Sequence, residues 1–208
     1  QRLDSDQARA NELQGRVLEL EAELRRLSEE VSTDALTQVA NRRGLEANFA
    51  TECARLVREP APLAVGLIDI DNFKKLNDSL GHHAGDIALK SLAERTQASL
   101  RPGDMVARYG GEEFVLLLPD TDHSGARAAL EKVRDAVQSE PLAGGLRVTT
   151  SIGAATLEPE DDWPRWLARA DSALYQAKDA GRDRVSFEPG PSRPGERRLR
   201  LVSGRPLR

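Results

Sequence analysis

A single cysteine, Cys53, among 208 residues leaves no internal disulfide to form, and neither CxxC nor HExxH occurs. A disulfide scaffold and a structural zinc site are both disfavoured, and the composition fits a reducing cytoplasm. No apolar run approaches the roughly 20 residues of a membrane span, and no signal peptide is visible. A cytoplasmic location is therefore expected. The chain starts at Gln1 rather than Met, and so reads as the soluble part of a longer protein that could be membrane-tethered elsewhere. Aromatic residues make up 4% and do not interleave with a basic patch, and the formal net charge is -4, so nucleic-acid binding is disfavoured. GxxxxGK[ST] is missing too, so any nucleotide is held by something other than a P-loop.

What is present divides into three stretches. In residues 1–32, Leu3, Ala10, Val17, Leu24 and Val31 fall seven apart, and Leu13, Leu20 and Leu27 follow members of that series by three. Valine at a positions with leucine at d favours a parallel two-stranded coiled coil, although Asp6 and Gly15 weaken its first half. A helix of that length would form a rod of roughly 50 Å at 1.5 Å per residue. Residues 33–188 read as one folded domain. Residues 189–208, rich in Pro, Gly and Arg, read as a disordered tail.

Within the domain, Ser32-Thr33-Asp34 is a helix-start signal, with a helix running to about Arg58. Leu63 to Asp71, LAVGLIDID, is apolar on both faces until Asp69 and predicts a buried central strand. A helix carrying Ile87, Leu92, Ala93 and Leu100 follows. Strands then flank Gly110-Gly111, which we expect to form a two-residue hairpin turn with positive φ. Asp120-Thr-Asp122 caps a helix with Leu130, Val133 and Val137; Leu146 to Ala154 is an alternating strand. Pro164 opens a last helix that Gly181 ends, and Arg184 to Phe187 closes the domain. The order contains β-α-β-β-α-β, so the expected class is α+β with a ferredoxin-like, palm-type core preceded by a long coiled-coil helix.

In that topology the end of the first core strand, with Asp69 and Asp71, lies beside the turn carrying Glu112 and Glu113. Two acids after Gly-Gly also describe an ordinary solvated hairpin tip, so the convergence is what matters. Two carboxylates about 4 Å apart repel by roughly 4 kcal/mol at an effective dielectric of 20, and call for a cation. Oxygen ligands alone suit Mg²⁺ or Mn²⁺, and the chemistry implied is phosphoryl or nucleotidyl transfer. Two of only five lysines, Lys74 and Lys75, directly follow the acidic strand end.

The motifs are specific in combination. Asp34-x-Leu-Thr37, Asn41-Arg42-Arg43, Asp69-Ile-Asp71-x-Phe73-Lys74, Asn77-Asp78, Gly81-His82, Gly85-Asp86, Gly110-Gly-Glu-Glu-Phe114, and Ala177-Lys178 with Gly181-Arg182 occur in order over residues 34–187. This series resembles the GGDEF diguanylate cyclase family, here with a GGEEF signature. The resemblance implies a homodimeric nucleotidyltransferase that condenses two GTP into cyclic di-GMP, each subunit holding one GTP. It makes Asp69 and Glu112 metal-binding acids with the Ile70 carbonyl, and Glu112 the group that deprotonates the attacking hydroxyl, with Glu113 also in the signature. Asn77 and Asp86 would read guanine; Lys74, Lys178 and Arg182 would hold the triphosphate, with main-chain NH groups at Asn72 and Phe73. Asp71 would shape the site. Arg101 and Asp104 match the family's RxxD product-inhibition pattern, with Arg134 a candidate further contact. An upstream sensor domain would act through the coil. Val39 and Asp183 depart from the family's usual residues. The alternative function is a catalytically silent GTP or cyclic di-GMP receptor signalling through its coil.

Overall fold

The structure, a computed structural model, describes residues 14–17, 19–20, 32–141 and 145–188. In the heptad segment, residues 14–17 and 19–20 are helical, with Val17 and Leu20 exposed. The rest of the expected coiled coil and the whole expected tail, 189–208, lie outside the described residues.

Strand alternation decides the architecture. Strand β2 (Leu63–Ile70) is buried along its whole length, its side chains turned alternately into two apolar layers. Ala64, Ile68 and Ile70 join Phe114, Leu116, Leu118 and Ile152 in one layer, while Leu63, Val65 and Leu67 join Val115, Leu117 and Ala155 in the other. The neighbours that supply these residues are β3 (Met105–Arg108), β4 (Glu113–Pro119) and β5 (Thr150–Thr156). Two short strands, β1 (Ala40–Asn41) and β6 (Val185–Phe187), form the edges of a six-stranded sheet in the order β1-β3-β4-β2-β5-β6. The central four are antiparallel in the ferredoxin-like order, and the two edge strands pair in parallel. The α+β palm-type core expected from the sequence is the one observed.

Helices α3 (His82–Ser99) and α4 (His123–Ser139) cover the first layer through Leu89, Leu92, Leu130 and Val133. Helices α1 (Arg42–Arg58) and α5 (Trp163–Asp179) cover the second through Leu45, Leu56, Trp166 and Leu174. At about 1.5–3 kcal/mol for each large side chain removed from water, these layers outweigh the surface ion pairs, worth about 1 kcal/mol or less apiece. Trp166 is fully buried, and its Nε1 donates to the Ala155 carbonyl at 3.1 Å. Gly153 of β5 lets α5 approach to backbone contact, since a Cβ there would collide with the Leu174 amide and the Ala170 carbonyl.

Four expectations change. The Ser32–Asp34 signal does not start a helix: Thr33 bridges Ala40, the Asp34 side chain accepts from the Thr37 amide at 2.9 Å, and α1 begins only after its cap Asn41. Asn72 to Leu100 holds two helices, α2 (Phe73–Leu80) and α3, broken at Gly81, whose φ of 83° only glycine adopts readily. Strand β5 begins at Thr150 rather than Leu146, because β2 ends at Ile70, the partner of Thr150. Finally, neither Gly110 nor Gly111 takes a left-handed φ. The turn is wider than two residues and is closed by the Glu113 carbonyl, which accepts from Tyr109 at 2.8 Å and Gly110 at 3.3 Å.

Candidate active site

The alternation that buries β2 continues past its apolar residues, so Asp69 falls on the face covered by α5. Lys178, four residues and about one turn beyond Leu174, reaches back over it, with Nζ 2.9 Å from Asp69 Oδ2. Burial pushes the Asp69 carboxyl above its ordinary value; the Lys178 ammonium opposes the rise and the nearby Asp71 charge adds to it. In the β3–β4 turn, Glu112 is also raised, by its own burial and then by the Asp69 charge, with Lys178 again opposing. Glu113 is the direct cross-strand partner of Asp69. The two acidic clusters therefore meet as the topology requires.

These acids fit a hard divalent cation. Both are oxygen donors, and burial raises both carboxyls although the Lys178 ammonium and, at Asp69, the Arg182 charge oppose the rise. Among the described residues no cluster of three or more His, Cys, Asp or Glu side chains is arranged for a metal. An ion held by Asp69 and Glu112 would keep several places for water, a main-chain carbonyl and phosphate oxygens, which is magnesium's habit.

The start of α2 lies just beyond. Asn72 takes φ 59°, and no side chain caps the helix, so the first-turn amides around Phe73 and Lys74 are not claimed by a capping group. Lys74 is exposed on that turn. Asn77, on the same helix, packs against Gly85 of α3, where any Cβ would collide with Asn77 Oδ1. That oxygen is buried and has no hydrogen-bond partner. Asp86, the next residue, is exposed. An amide oxygen without a partner, packed on the residue that precedes an exposed aspartate, suits a ligand edge that donates hydrogen bonds. Arg182, also exposed, stands on the loop after α5 at φ 67°.

Comparison with known proteins decides the family. The diguanylate cyclase GGDEF domain matches residues 31–184. The chain belongs to the GGDEF family. It is 38% identical over 187 residues to the diguanylate cyclase DgcP of Pseudomonas aeruginosa, covering 88% of this chain and 28% of that protein. To the response regulator PleD of Caulobacter vibrioides it is 42% identical over 159 residues, 74% of this chain and 35% of that protein. The chain thus spans about a third of the length of these curated relatives. Among solved structures, the coiled coil and GGDEF domain of DgcB from Caulobacter crescentus, in complex with c-di-GMP, superposes with TM-score 0.75 at 30% identity, covering 87% of this chain and 98% of that one. Diguanylate cyclase SiaD from Pseudomonas aeruginosa, in complex with its activator SiaC, gives TM-score 0.74 at 35% identity over 88% of this chain and 73% of that one.

On this GGDEF domain the RxxD pair sits away from the acids, beside a cavity of about 500 Å³. Arg101 Nε meets Asp104 Oδ1 at 3.2 Å, and its Nη2 donates to the Pro119 carbonyl and to Thr121 Oγ1, both at 2.6 Å. Lys132 of α4 lines the cavity. Arg134, the candidate from the sequence, instead donates to the Asp183 carbonyl at 3.0 Å. Alternation of charge along an amphipathic helix does not say which of two basic residues two positions apart faces a neighbouring loop.

Two links escaped sequence reasoning. Arg108 donates to Asp34 Oδ1 at 3.1 Å and to the Gly111 carbonyl at 2.7 Å, tying the turn after residue 32 to the GGEEF turn. Thr149 and Ser151, read only as strand residues, both donate to Asp71. In each case the signal was a charged residue inside a strand or at its end, whose partner lies more than 70 residues away.

Proposed function

We propose that this chain is a diguanylate cyclase that condenses two GTP into cyclic di-GMP and two pyrophosphates across a homodimer. The observation that carries the reading is the meeting of Asp69 and Glu112 beneath Lys178, with both carboxyls held above their ordinary range. Asp69, Glu112 and the Ile70 carbonyl would hold Mg²⁺ or Mn²⁺. When bound, that ion supplies charge neutralisation at the transferring phosphate.

Each residue then has a task. Asn77 and Asp86 receive the guanine edge, which presents N–H donors to the buried amide oxygen and the carboxylate. Lys74, Lys178, Arg182 and the amides at Asn72 and Phe73 hold the triphosphate. Glu112 takes the proton as the 3′-oxygen attacks the α-phosphorus and pyrophosphate leaves; Glu113, across from Asp69, completes the acidic rim. One subunit holds one GTP, so orientation of the two reactants is a property of the dimer. Residues 1–32 would tether two copies as a coiled coil, raising their effective concentration and relaying the state of an upstream sensor domain. Arg101, Asp104 and Lys132 would take up cyclic di-GMP as feedback inhibitor, in keeping with the ligand named in the DgcB structures. Among the described residues no helix is long and apolar enough to cross a membrane.

The test is product analysis after incubation with GTP and Mg²⁺ at several protein concentrations, beside Glu112→Gln and a chelator control. Cyclic di-GMP that rises steeply with protein concentration and vanishes in both controls supports the reading. GTP binding without product at any concentration replaces it with a receptor.

A further inference from the structure

We infer that Asp71, which lies outside the proposed set of metal and nucleotide contacts, is a positioning residue for Arg182. The inference rests on the reading of Arg182 as a triphosphate contact and says what keeps it in place.

The loop after α5 is an unusual piece of backbone. Gly181, Arg182 and Asp183 take φ 112°, 67° and 46° in succession. Residues with a Cβ adopt this region seldom, so two in a row persist only where surrounding bonds dictate them. Several such bonds are visible. The Arg182 amide donates to the Ala177 carbonyl at 3.0 Å, and Arg134 holds the Asp183 carbonyl. The Asp183 amide points inward and donates to Asp71 Oδ2 at 3.1 Å. Asp183 Oδ1 is buried with no hydrogen-bond partner, a further cost the loop bears in this conformation.

Asp71 is built to receive that amide. It is 7% exposed, at the end of β2, and its own amide donates to the Thr149 carbonyl at 2.9 Å. Thr149 Oγ1 donates to Oδ2 at 2.7 Å and Ser151 Oγ to Oδ1 at 2.6 Å. All three donors to the carboxylate are neutral. The Thr149 hydroxyl just before β5 and the Ser151 hydroxyl within it thus clamp an acceptor-only group against the Asp183 N–H, one of the main-chain donors that fix the turn under Arg182. Asp71 thereby joins the strand end that carries Asp69 to the loop that carries Arg182.

This role is separable from an effect of Asp71's charge. In Asp71→Asn the amide oxygen can still accept from the Asp183 N–H while the Ser151 hydroxyl rotates to accept from the new NH₂. Asp71→Ala loses the acceptor entirely. The experiment measures GTP affinity by equilibrium titration with Mg²⁺, together with KM and kcat for cyclisation, for wild type, Asp71→Asn, Asp71→Ala, Arg182→Ala and the Asp71→Ala/Arg182→Ala pair. Thr149→Val serves as the milder variant should Asp71→Ala fail to fold, and thermal unfolding reports folding throughout.

We expect Asp71→Ala to weaken GTP binding about tenfold, through KM more than kcat, and Asp71→Asn to stay close to wild type. In the Arg182→Ala background the Asp71→Ala change should cost nothing further. Additive losses in the pair, or equal losses from Asn and Ala, overturn the inference. Binding of GTP without turnover defeats the cyclase reading alone, because the coupling is still read from affinity. No GTP binding by the wild type overturns both.

Discussion

Asp34 and Arg108 meet at 3.1 Å although 74 residues separate them in sequence, and the same guanidinium reaches the Gly111 carbonyl at 2.7 Å. The turn that follows the heptad segment is therefore bolted to the turn that carries Glu112. Replacing Arg108 with Ala should lower product formation while leaving the apolar layers intact. Asp34→Ala, which also strips the Thr37 cap, should cost about 1–3 kcal/mol in denaturant unfolding.

The Asp34 carboxyl also sets an acid limit. Burial alone would raise it, but the Thr37 hydroxyl and amide and the Arg108 guanidinium bring it below its ordinary 3.8. A folded value below the unfolded one means stability that is present above the unfolded value and lost as pH falls through the folded one. The thermal midpoints of wild type and Asp34→Asn should therefore differ at neutral pH and draw together only as pH falls from about 4 through the lower folded value.

Asp69→Asn and Glu112→Gln should each reduce cyclic di-GMP formation at least about 100-fold. Without metal, the same changes should raise the thermal midpoint, since each removes a carboxylate that burial and its neighbour disfavour. A fall in midpoint would contradict the account of the acids as a strained pair awaiting a cation.

Gly153→Ala tests how closely α5 must sit. Its Cβ would meet helix backbone rather than a yielding side chain, so a loss of about 1–3 kcal/mol or more is expected. Because α5 carries Lys178, activity should fall further than the fraction unfolded explains.

Arg101→Ala should leave initial rates near those of the wild type and remove the slowing that accumulates with product. Rates followed with added cyclic di-GMP check this directly, and persistent inhibition would argue against the RxxD site.

The sequence conveyed the central sheet well because its inner strands are apolar on both faces, as β2 is until Asp69. The meeting of Asp69 with Glu112 followed from strand order alone. What it conveyed poorly was short or relational. Strand β1 has two residues, too few to carry a period, and exists only because Ala40 and Asn41 lie beside Ala107 and Arg108. Leu146 and Val148 alternate like a strand, yet β2 offers nothing there to pair with. Glycine's freedom suggested a tight turn at Gly110, where the glycine instead leaves room for the Glu113 carboxylate, whose Oε2 would sit 2.6 Å from a Cβ. The local motif marked Asp71 as part of the site without naming its partners, and Asp34, which Arg108 holds, and Thr149, which holds Asp71, lie 74 and 78 residues away from them.

The outer strands have a consequence for a protein whose proposed chemistry needs two copies held close together. Crowded sheets fuse when long, flat edges present rows of unpaired amides and carbonyls. Here the edges are β1, with two residues, and β6, with three, each laid over a longer strand. Two domains tethered as proposed would thus be denied edge-to-edge polymerisation, the cheapest wrong way to associate, and would stay free to meet through their nucleotides.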